Sequence, residues 1–268
     1  MAAPAARPHL RRAPAGGQIR PRKRFGQHFL HDPGILARIV EALGPAADDA
    51  VVEIGPGEGA LTQVLLARLQ HLTVIEIDRD LVARLAARFP PGRLTVHCAD
   101  VLEFDFAGLA PGTRLIGNLP YNISTPLLFQ VARHAERVRD AHFMLQREVV
   151  ERMVAQPSTP AYGRLSVMLQ TRFRMQRLFD VSRGAFRPPP KVESAVVRLE
   201  PLRTPLPCDE ARFAAIVRGA FSARRKTLRN ALPLRPEDYP ALGLDPQLRP
   251  ENLAPADYVR ITLRAGAR

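Results

Sequence analysis

The sequence predicts a doubly wound α/β fold: a mostly parallel sheet with an antiparallel hairpin at one edge, followed by a small helical C-terminal unit. Three observations predict it. Short β-rich runs alternate with helical patterns of about ten residues through the first two thirds of the chain, as strands joined by crossover helices do. Two later β-like runs are joined by a proline-rich turn in place of a helix, which favours antiparallel pairing. Beyond Pro201, Pro205 and Pro207 the pattern turns helical.

The elements follow in order. Residues 1–20 are rich in Ala, Pro, Gly and Arg without hydrophobic periodicity and read as a flexible basic arm. A transit peptide would share the arginines and the lack of acids, but the prolines spoil an amphipathic helix and there is no serine. Helical spacing in Ile35–Val40 follows Asp32-Pro33, an N-cap with proline at the first helical position, and Gly44-Pro45 ends that helix. Strands are expected at residues 50–54, 72–77, 94–98, 114–116 and 142–146, with helices near 60–69, 79–89 and 125–134. Residues 172–181 and 194–199 form the edge hairpin, giving seven strands. Helices at 211–221 and 224–232 precede short, proline-punctuated helices to the end. The expected organisation is an arm (1–20), an α/β domain (21–201) and a helical domain (202–268).

With 268 residues, 46% of them hydrophobic, the chain can bury a sizeable core. No apolar run nears the ~18 residues of a membrane span and the N-terminus lacks a secretory signal, so a soluble, cytoplasmic protein is expected, with no membrane partner. Cys98 and Cys208 match neither a zinc pattern nor a disulfide framework, and no metal is expected. The net charge of +13 implies a polyanionic partner. Arg7, Arg11, Arg12, Arg20, Arg22, Lys23 and Arg24 concentrate part of it before residue 25, with no acid among them. Apart from Lys23, Lys191 and Lys226 every basic residue is arginine, which suits phosphate contacts and base stacking and equally follows from a GC-rich genome.

In Val51–Gly59 a hydrophobic strand runs into Gly55, Gly57 and Gly59 and then a helix. Such a turn brings bare backbone close to a ligand at the carboxyl end of the first strand. Glu76 ends the second strand, about twenty residues on, where a carboxylate can accept from ribose hydroxyls. Asp100 ends the third and can accept from an adenine amino group. Dinucleotide-dependent oxidoreductases and S-adenosylmethionine-dependent methyltransferases share this layout, and Ala60 in the place of the last glycine does not decide between them. The absence of a hydride-transfer site, the antiparallel hairpin and Asp100 favour the methyltransferase.

Directly after the fourth strand, Asn118-Leu119-Pro120-Tyr121 resembles the motif with which amino-group methyltransferases grip a flipped base. The N6 lone pair of adenine is delocalised into the ring. Acceptance of its two hydrogens by the Asn118 side-chain oxygen and the Leu119 carbonyl favours a pyramidal nitrogen that can attack a methyl group. Pro120 fixes the backbone without offering a competing N–H, and Tyr121 can stack on the base. Positioning of this kind needs no strong general base.

With these residues in view, the chain resembles the KsgA family of bacterial small-subunit ribosomal RNA adenine dimethyltransferases over nearly all of residues 20–265. Further matching stretches are Arg22–Leu30, Val74–Asp78, His142–Glu148, Tyr162–Ser166, Phe186–Val192 and Arg224–Asn230. The resemblance implies a Rossmann-like class I methyltransferase. It would transfer four methyl groups from S-adenosylmethionine to N6 of two adjacent adenosines near the 3′ end of small-subunit RNA, in an immature 30S particle. It implies cofactor contacts for His28, Leu30, Gly55, Gly57, Gly59, Glu76, Asp100 and Asn118. Many relatives carry asparagine at the position of His28, whose alternative role is loop packing. Phe186 would add a second aromatic surface beside the target base, its alternative being core packing beneath Pro188–Pro190. Arg22, Lys23, Arg24, Arg224, Arg225, Lys226 and Arg229 would bind RNA phosphates, the last four otherwise forming a solvated helix face. A monomer is expected. The competing readings are a large-subunit adenine methyltransferase of the antibiotic-resistance type and a ribosome-assembly checkpoint that acts mainly by binding.

Overall fold

The computed structural model describes residues 27–204 and 207–266. The basic arm, with Arg22, Lys23 and Arg24, lies outside the described residues. The chain runs β1 (Phe29–Leu30), α1 (Pro33–Leu43), β2 (Val51–Ile54), α2 (Ala60–Leu66), β3 (Leu72–Glu76), α3 (Arg79–Arg88), β4 (Leu94–Cys98), β5 (Thr113–Asn118), α4 (Ser124–Arg133) and β6 (Val138–Gln146). It continues through α5 (Arg147–Val154), α6 (Arg164–Gln170), β7 (Phe173–Val181), β8 (Phe186–Arg187), β9 (Ser194–Pro201), α7 (Glu210–Ser222), α8 (Leu228–Ala231), α9 (Asp238–Leu242) and α10 (Pro255–Gly266).

Seven strands form one sheet in the order β4-β3-β2-β5-β6-β9-β7, the expected number. β2 to β6 pair in parallel, and β9 pairs antiparallel with both β6 and β7. The second strand of the hairpin therefore sits inside the sheet and the first forms the edge. Side-chain burial explains the order: Ser194–Val197 are all buried, whereas β7 is fully buried only at its two ends, Phe173 and Val181, and tolerates one open edge.

Side chains alternate between the sheet faces. Val52, Ile54, Leu115 and Phe143 pack against α4, α5 and α6, while Val51, Val74, Ile116 and Met144 pack against α1, α2 and α3. The caps of α1 are as expected: the Asp32 carboxylate accepts from the N–H groups of Gly34 and Ile35 at 2.8 and 3.0 Å, and Gly44 closes the helix in the left-handed region. Its last carbonyls meet Arg114, a buried arginine on β5 that donates to the Leu43 carbonyl and pairs with Asp140 at 2.7 Å and Asp49 at 2.9 Å. That network locks α1 over the sheet, and α1 roofs one side of the crevice described below.

Several local expectations need correction. Residues 147–170, unassigned from sequence, carry α5 and α6. The two-residue strands β1 and β8, too short for any periodicity, pair antiparallel as a separate small sheet. Of the helix expected over 224–232 only α8 forms. Burial of Leu228 and the bond from its N–H to the Leu248 carbonyl, at 2.7 Å, draw the chain out of a continuous helix there. The segment expected to hold only short helices ends in α10, 12 residues long. A third core unites Phe213, Val217, Leu228, Tyr258 and Ile261 of the C-terminal helices with Tyr162 and Val167 from before residue 201. The Tyr162 hydroxyl donates to the Leu253 carbonyl at 2.8 Å, so the C-terminal helices are anchored on α6.

Candidate active site

A crevice of about 320 Å³ opens over the carboxyl ends of β2, β3 and β5 and the turn after β4, where α/β sheets bind ligands. Gly55 and Gly57 adopt φ of 67° and 57°, a left-handed backbone that other residues resist. A Cβ on Gly57 would lie 2.9 Å from the Phe29 ring, closing the space between the turn and the β1 segment. Gly59 has another task. It caps α2 and lets Leu85 approach, where a Cβ would lie 2.8 Å from the leucine side chain, and it does not line the crevice.

Glu76, the last residue of β3, is held by backbone donors. The Asp78 N–H reaches one carboxylate oxygen at 2.9 Å and the Gly57 N–H the other at 3.2 Å. Burial pushes its pKa up while these donors pull it down. Glu76 lines the crevice, where its carboxylate can accept from a diol. Asp100 stands on the crevice wall and accepts from the Leu102 N–H at 2.9 Å through one oxygen.

At the other end, Asn118 closes β5. Its side-chain nitrogen donates to the His28 carbonyl at 2.9 Å, which leaves the side-chain oxygen as an acceptor. The Leu119 N–H donates to the Met144 carbonyl at 3.1 Å, fixing the peptide ahead of Pro120. Gly117 is obligatory because a Cβ there would collide with the Ile54 carbonyl. The Tyr121 hydroxyl shares a hydrogen bond with Ser194 at 2.9 Å. Its ring lies 5.9 Å from that of His28, whose Nδ1–H donates to the Pro188 carbonyl at 2.8 Å.

The structure thus gathers His28, Leu30, Gly55, Gly57, Glu76, Asp100, Asn118, Leu119, Pro120 and Tyr121 around one crevice. It does not bring Phe186 to that wall. Phe186 is buried opposite Leu30, its partner across β1 and β8, among the residues packed under α1. In the C-terminal cluster Arg224, Arg225, Lys226 and Arg229 are all exposed, and Arg224 also pairs with Glu251 at 2.7 Å and donates to the Pro160 carbonyl.

Sequence reasoning missed two wall residues. Glu53 is buried on β2 and accepts from the Thr62 hydroxyl at 2.6 Å; burial raises its pKa to about 8. His142 is buried on β6, where burial lowers its pKa to about 4, so the ring is neutral. For Glu53 the available signal was a lone ionisable residue inside the apolar strand Val51-Val52-Glu53-Ile54; His142, in a strand that also carries Arg139 and Asp140, had none.

Comparisons with known proteins agree with this geometry. The model of the family described as ribosomal RNA adenine dimethylase matches residues 19–265. A ribosomal RNA small subunit methyltransferase A from Thiobacillus denitrificans is 60% identical over 92% of this chain and 99% of its own length. The protein of that name from Aromatoleum aromaticum is 61% identical, covering 91% of this chain and 93% of its own. Among solved structures, a dimethyladenosine transferase from Plasmodium falciparum superimposes with a TM-score of 0.78 at 28% identity, over 90% of this chain and 98% of that one. The 23S rRNA methyltransferase ErmE gives 0.66 at 26% identity, over 88% and 98%. From residue 19 to residue 265, through the glycine turn, the Asn-Leu-Pro-Tyr corner and the C-terminal helices, this chain belongs to the ribosomal RNA adenine dimethylase family.

Proposed function

We infer that this protein dimethylates N6 of adenine in small-subunit ribosomal RNA, with S-adenosylmethionine as the methyl donor. The observation that carries the reading is the Asn118–Tyr121 corner, set at the end of β5 in the same crevice as Glu76 and Asp100. The residues fit the cofactor: a bare glycine turn for close approach, two wall carboxylates for an adenosyl group, and an acceptor oxygen on Asn118. When bound, S-adenosylmethionine supplies an electrophilic methyl group on a sulfonium.

The chain's own work is orientation. Glu76 accepts from the ribose hydroxyls and Asp100 from the cofactor's adenine amino group, while the β1 segment with His28 and Leu30 covers the amino-acid end. On the substrate side the Asn118 oxygen and the Leu119 carbonyl accept the N6 hydrogens, so that nitrogen offers its lone pair to the methyl carbon. Tyr121 stacks on the base. The proton left on nitrogen can depart to water, so positioning suffices without a strong general base. Phe186 supports the site from behind by packing on Leu30.

Relatives about 60% identical are named for the small subunit, which supports that substrate over the large one. We assign the methyl groups to two adjacent adenosines near the 3′ end of the RNA in an immature 30S particle, acted on by a monomer in the cytoplasm. Exposed Arg225, Lys226 and Arg229, with the N-terminal basic residues, contact the phosphates. The test incubates the purified protein and radiolabelled S-adenosylmethionine with immature small subunits from a strain lacking the modification, and in parallel with naked large-subunit RNA. Label in paired dimethyladenosines of the small-subunit RNA alone is expected. Label only in the large-subunit RNA would overturn the assignment.

A further inference from the structure

The turn between β8 and β9 is exposed yet braced at several points. Arg187, Pro188, Pro189, Lys191 and Val192 are open to solvent, and Pro190 is buried. Three successive prolines fix their own φ angles. The Pro188 carbonyl accepts from the His28 ring at 2.8 Å, the Lys191 carbonyl from Arg183 at 3.5 Å, and the Glu193 carbonyl from the Arg147 N–H at 3.0 Å. Joining two strands does not require such bracing. A contact surface gains from it, because a segment fixed beforehand loses little conformational freedom on binding.

Both feet of the turn stand at the Tyr121 corner. Ser194, whose hydroxyl meets that of Tyr121 at 2.9 Å, follows Val192 by two residues, so their Cα atoms are at most about 7 Å apart. His28, which holds Pro188, has its ring 5.9 Å from that of Tyr121. The charged residues of 183–193 are Arg183, Arg187, Lys191 and Glu193. Arg183 pairs with Glu193 at 3.3 Å, so the positive excess of the turn lies on Arg187 and Lys191. Beside Lys191 stands Val192, 44% exposed, an apolar side chain outside the hydrophobic cores. Cations next to an open apolar side chain, at the edge of an aromatic corner, suit a nucleic-acid strand, which offers phosphates and unstacked base faces.

We propose that this turn is the lip on which the RNA strand rests while one adenine occupies the crevice. Arg187 and Lys191 take phosphates beside the extruded nucleotide, and Val192 packs on the face of the neighbouring base that extrusion leaves bare. Turning a base out of its stack costs free energy. An apolar contact for the deserted neighbour offsets part of that cost. The assignment deepens the adenine reading above and rests on it.

Crosslinking identifies the occupant. A benzophenone side chain placed at position 192, irradiated on immature small subunits, should join the nucleotide next to a methylated adenosine. Crosslinks confined to a ribosomal protein, or to RNA remote from the methylated site, overturn the proposal. Kinetics on the same particles separate the two roles. Val192→Ser should lower kcat about three- to tenfold and leave the particle KM within about twofold, because extrusion follows particle binding, and Val192→Leu should restore the rate. Replacing both cations, Arg187→Gln with Lys191→Gln, should raise the particle KM and reduce the slope of log affinity against log salt by about 1 to 2. Affinity for S-adenosylhomocysteine should stay within about twofold in every variant, since the crevice walls are untouched. An unaltered kcat in Val192→Ser, an unaltered salt slope in the double variant, or a parallel loss of S-adenosylhomocysteine affinity overturns the proposal. Failure of the unaltered protein to methylate the particle overturns the small-subunit reading instead.

Discussion

At the β2–β4 end of the crevice the three wall carboxylates are answered from nearby in the chain: Gly57 and Glu76 are 19 residues apart, Glu53 and Thr62 9, Asp100 and Leu102 2. At the β5–β6 end the partners come from far away. Asn118 meets His28 across 90 residues, Tyr121 meets Ser194 across 73, and His28 meets Pro188 across 160. One end is a local device, formed as soon as two strands pair. The other is assembled only when the N-terminal segment, the β5 corner and the turn before β9 converge. On the proposed reading this division separates tasks: the local end would hold the adenosyl part of the cofactor, and the assembled end would position the target base.

The strongest way to break the comparison is to disable the assembled end and ask whether the local end notices. Asn118→Ala removes the acceptor oxygen for N6 and the bond to the His28 carbonyl. Methyl transfer should fall about 10²- to 10³-fold, the usual cost of one preorganised polar group in an active site. Binding of S-adenosylhomocysteine should weaken less than about tenfold, because Glu76 and the glycine turn are untouched. RNA particle binding should persist, which separates catalysis from a pure assembly role. Unchanged transfer would remove Asn118 from the mechanism.

The converse change acts at the local end. Glu76→Ala abolishes both oxygens that Gly57 and Asp78 fix, and with them the contacts to a ribose diol. Cofactor affinity should drop about 10- to 100-fold, the worth of one or two charge-assisted hydrogen bonds. Transfer at saturating cofactor should largely recover, a rise in KM with little change in kcat. A loss in kcat alone would show that the two ends are not separable.

Next in size is a pH effect from beneath the crevice. Folded, Glu53 keeps its proton up to about pH 8, whereas the ordinary value is 4.5. Between those limits the folded chain binds more protons than the unfolded one, so this group's contribution to stability falls as pH rises. His142 acts oppositely between about 4 and its ordinary 6.5, where the unfolded chain holds the extra proton and stability rises with pH. The two slopes cancel where the windows overlap, which leaves Glu53 alone from about pH 6.5 to 8. Over that interval it should cost about 2 kcal/mol. Urea unfolding of the unaltered protein and of Glu53→Gln at both pH values measures it, and the variant should lack the decline.

The local end is also the part that was legible in the sequence. Strand, glycine turn and closing acid lie close together, and Gly55, Gly57, Glu76 and Asp100 all reach the wall. The corner motif was equally plain, because Asn118-Leu119-Pro120-Tyr121 is contiguous. Its supports were not. Nothing in the sequence around Ser194 or Pro188 signals a contact with Tyr121 or His28, and β1 and β8 are too short to show alternation. The edge hairpin was legible as well, but not which of its strands lies inside: two β-like runs joined by a turn predict a hairpin, and only the burial of β9 places it between β6 and β7. The resemblance alone points Phe186 at the base; its cross-strand pairing with Leu30, which no local pattern signals, buries it under α1. His142 and Glu53 passed as ordinary strand residues, since burial on one particular face is a tertiary property.

The smallest expected effect tests the long-range assembly most directly. Tyr121 is half-buried, and its hydroxyl meets that of buried Ser194, at the start of β9. That single bond fixes how the ring can tilt towards a stacked base. Tyr121→Phe and Ser194→Ala each remove it and keep the ring, so each should slow transfer only about two- to tenfold, the range of one neutral hydrogen bond. If the bond is what matters, the double variant should be no worse than either single one, a coupling of about 1 kcal/mol in the cycle. Fully additive losses would mean that the hydroxyls act separately. The ring's orientation would then be set by its packing against His28, 5.9 Å away, and the N-terminal segment alone would carry the assembly of this end.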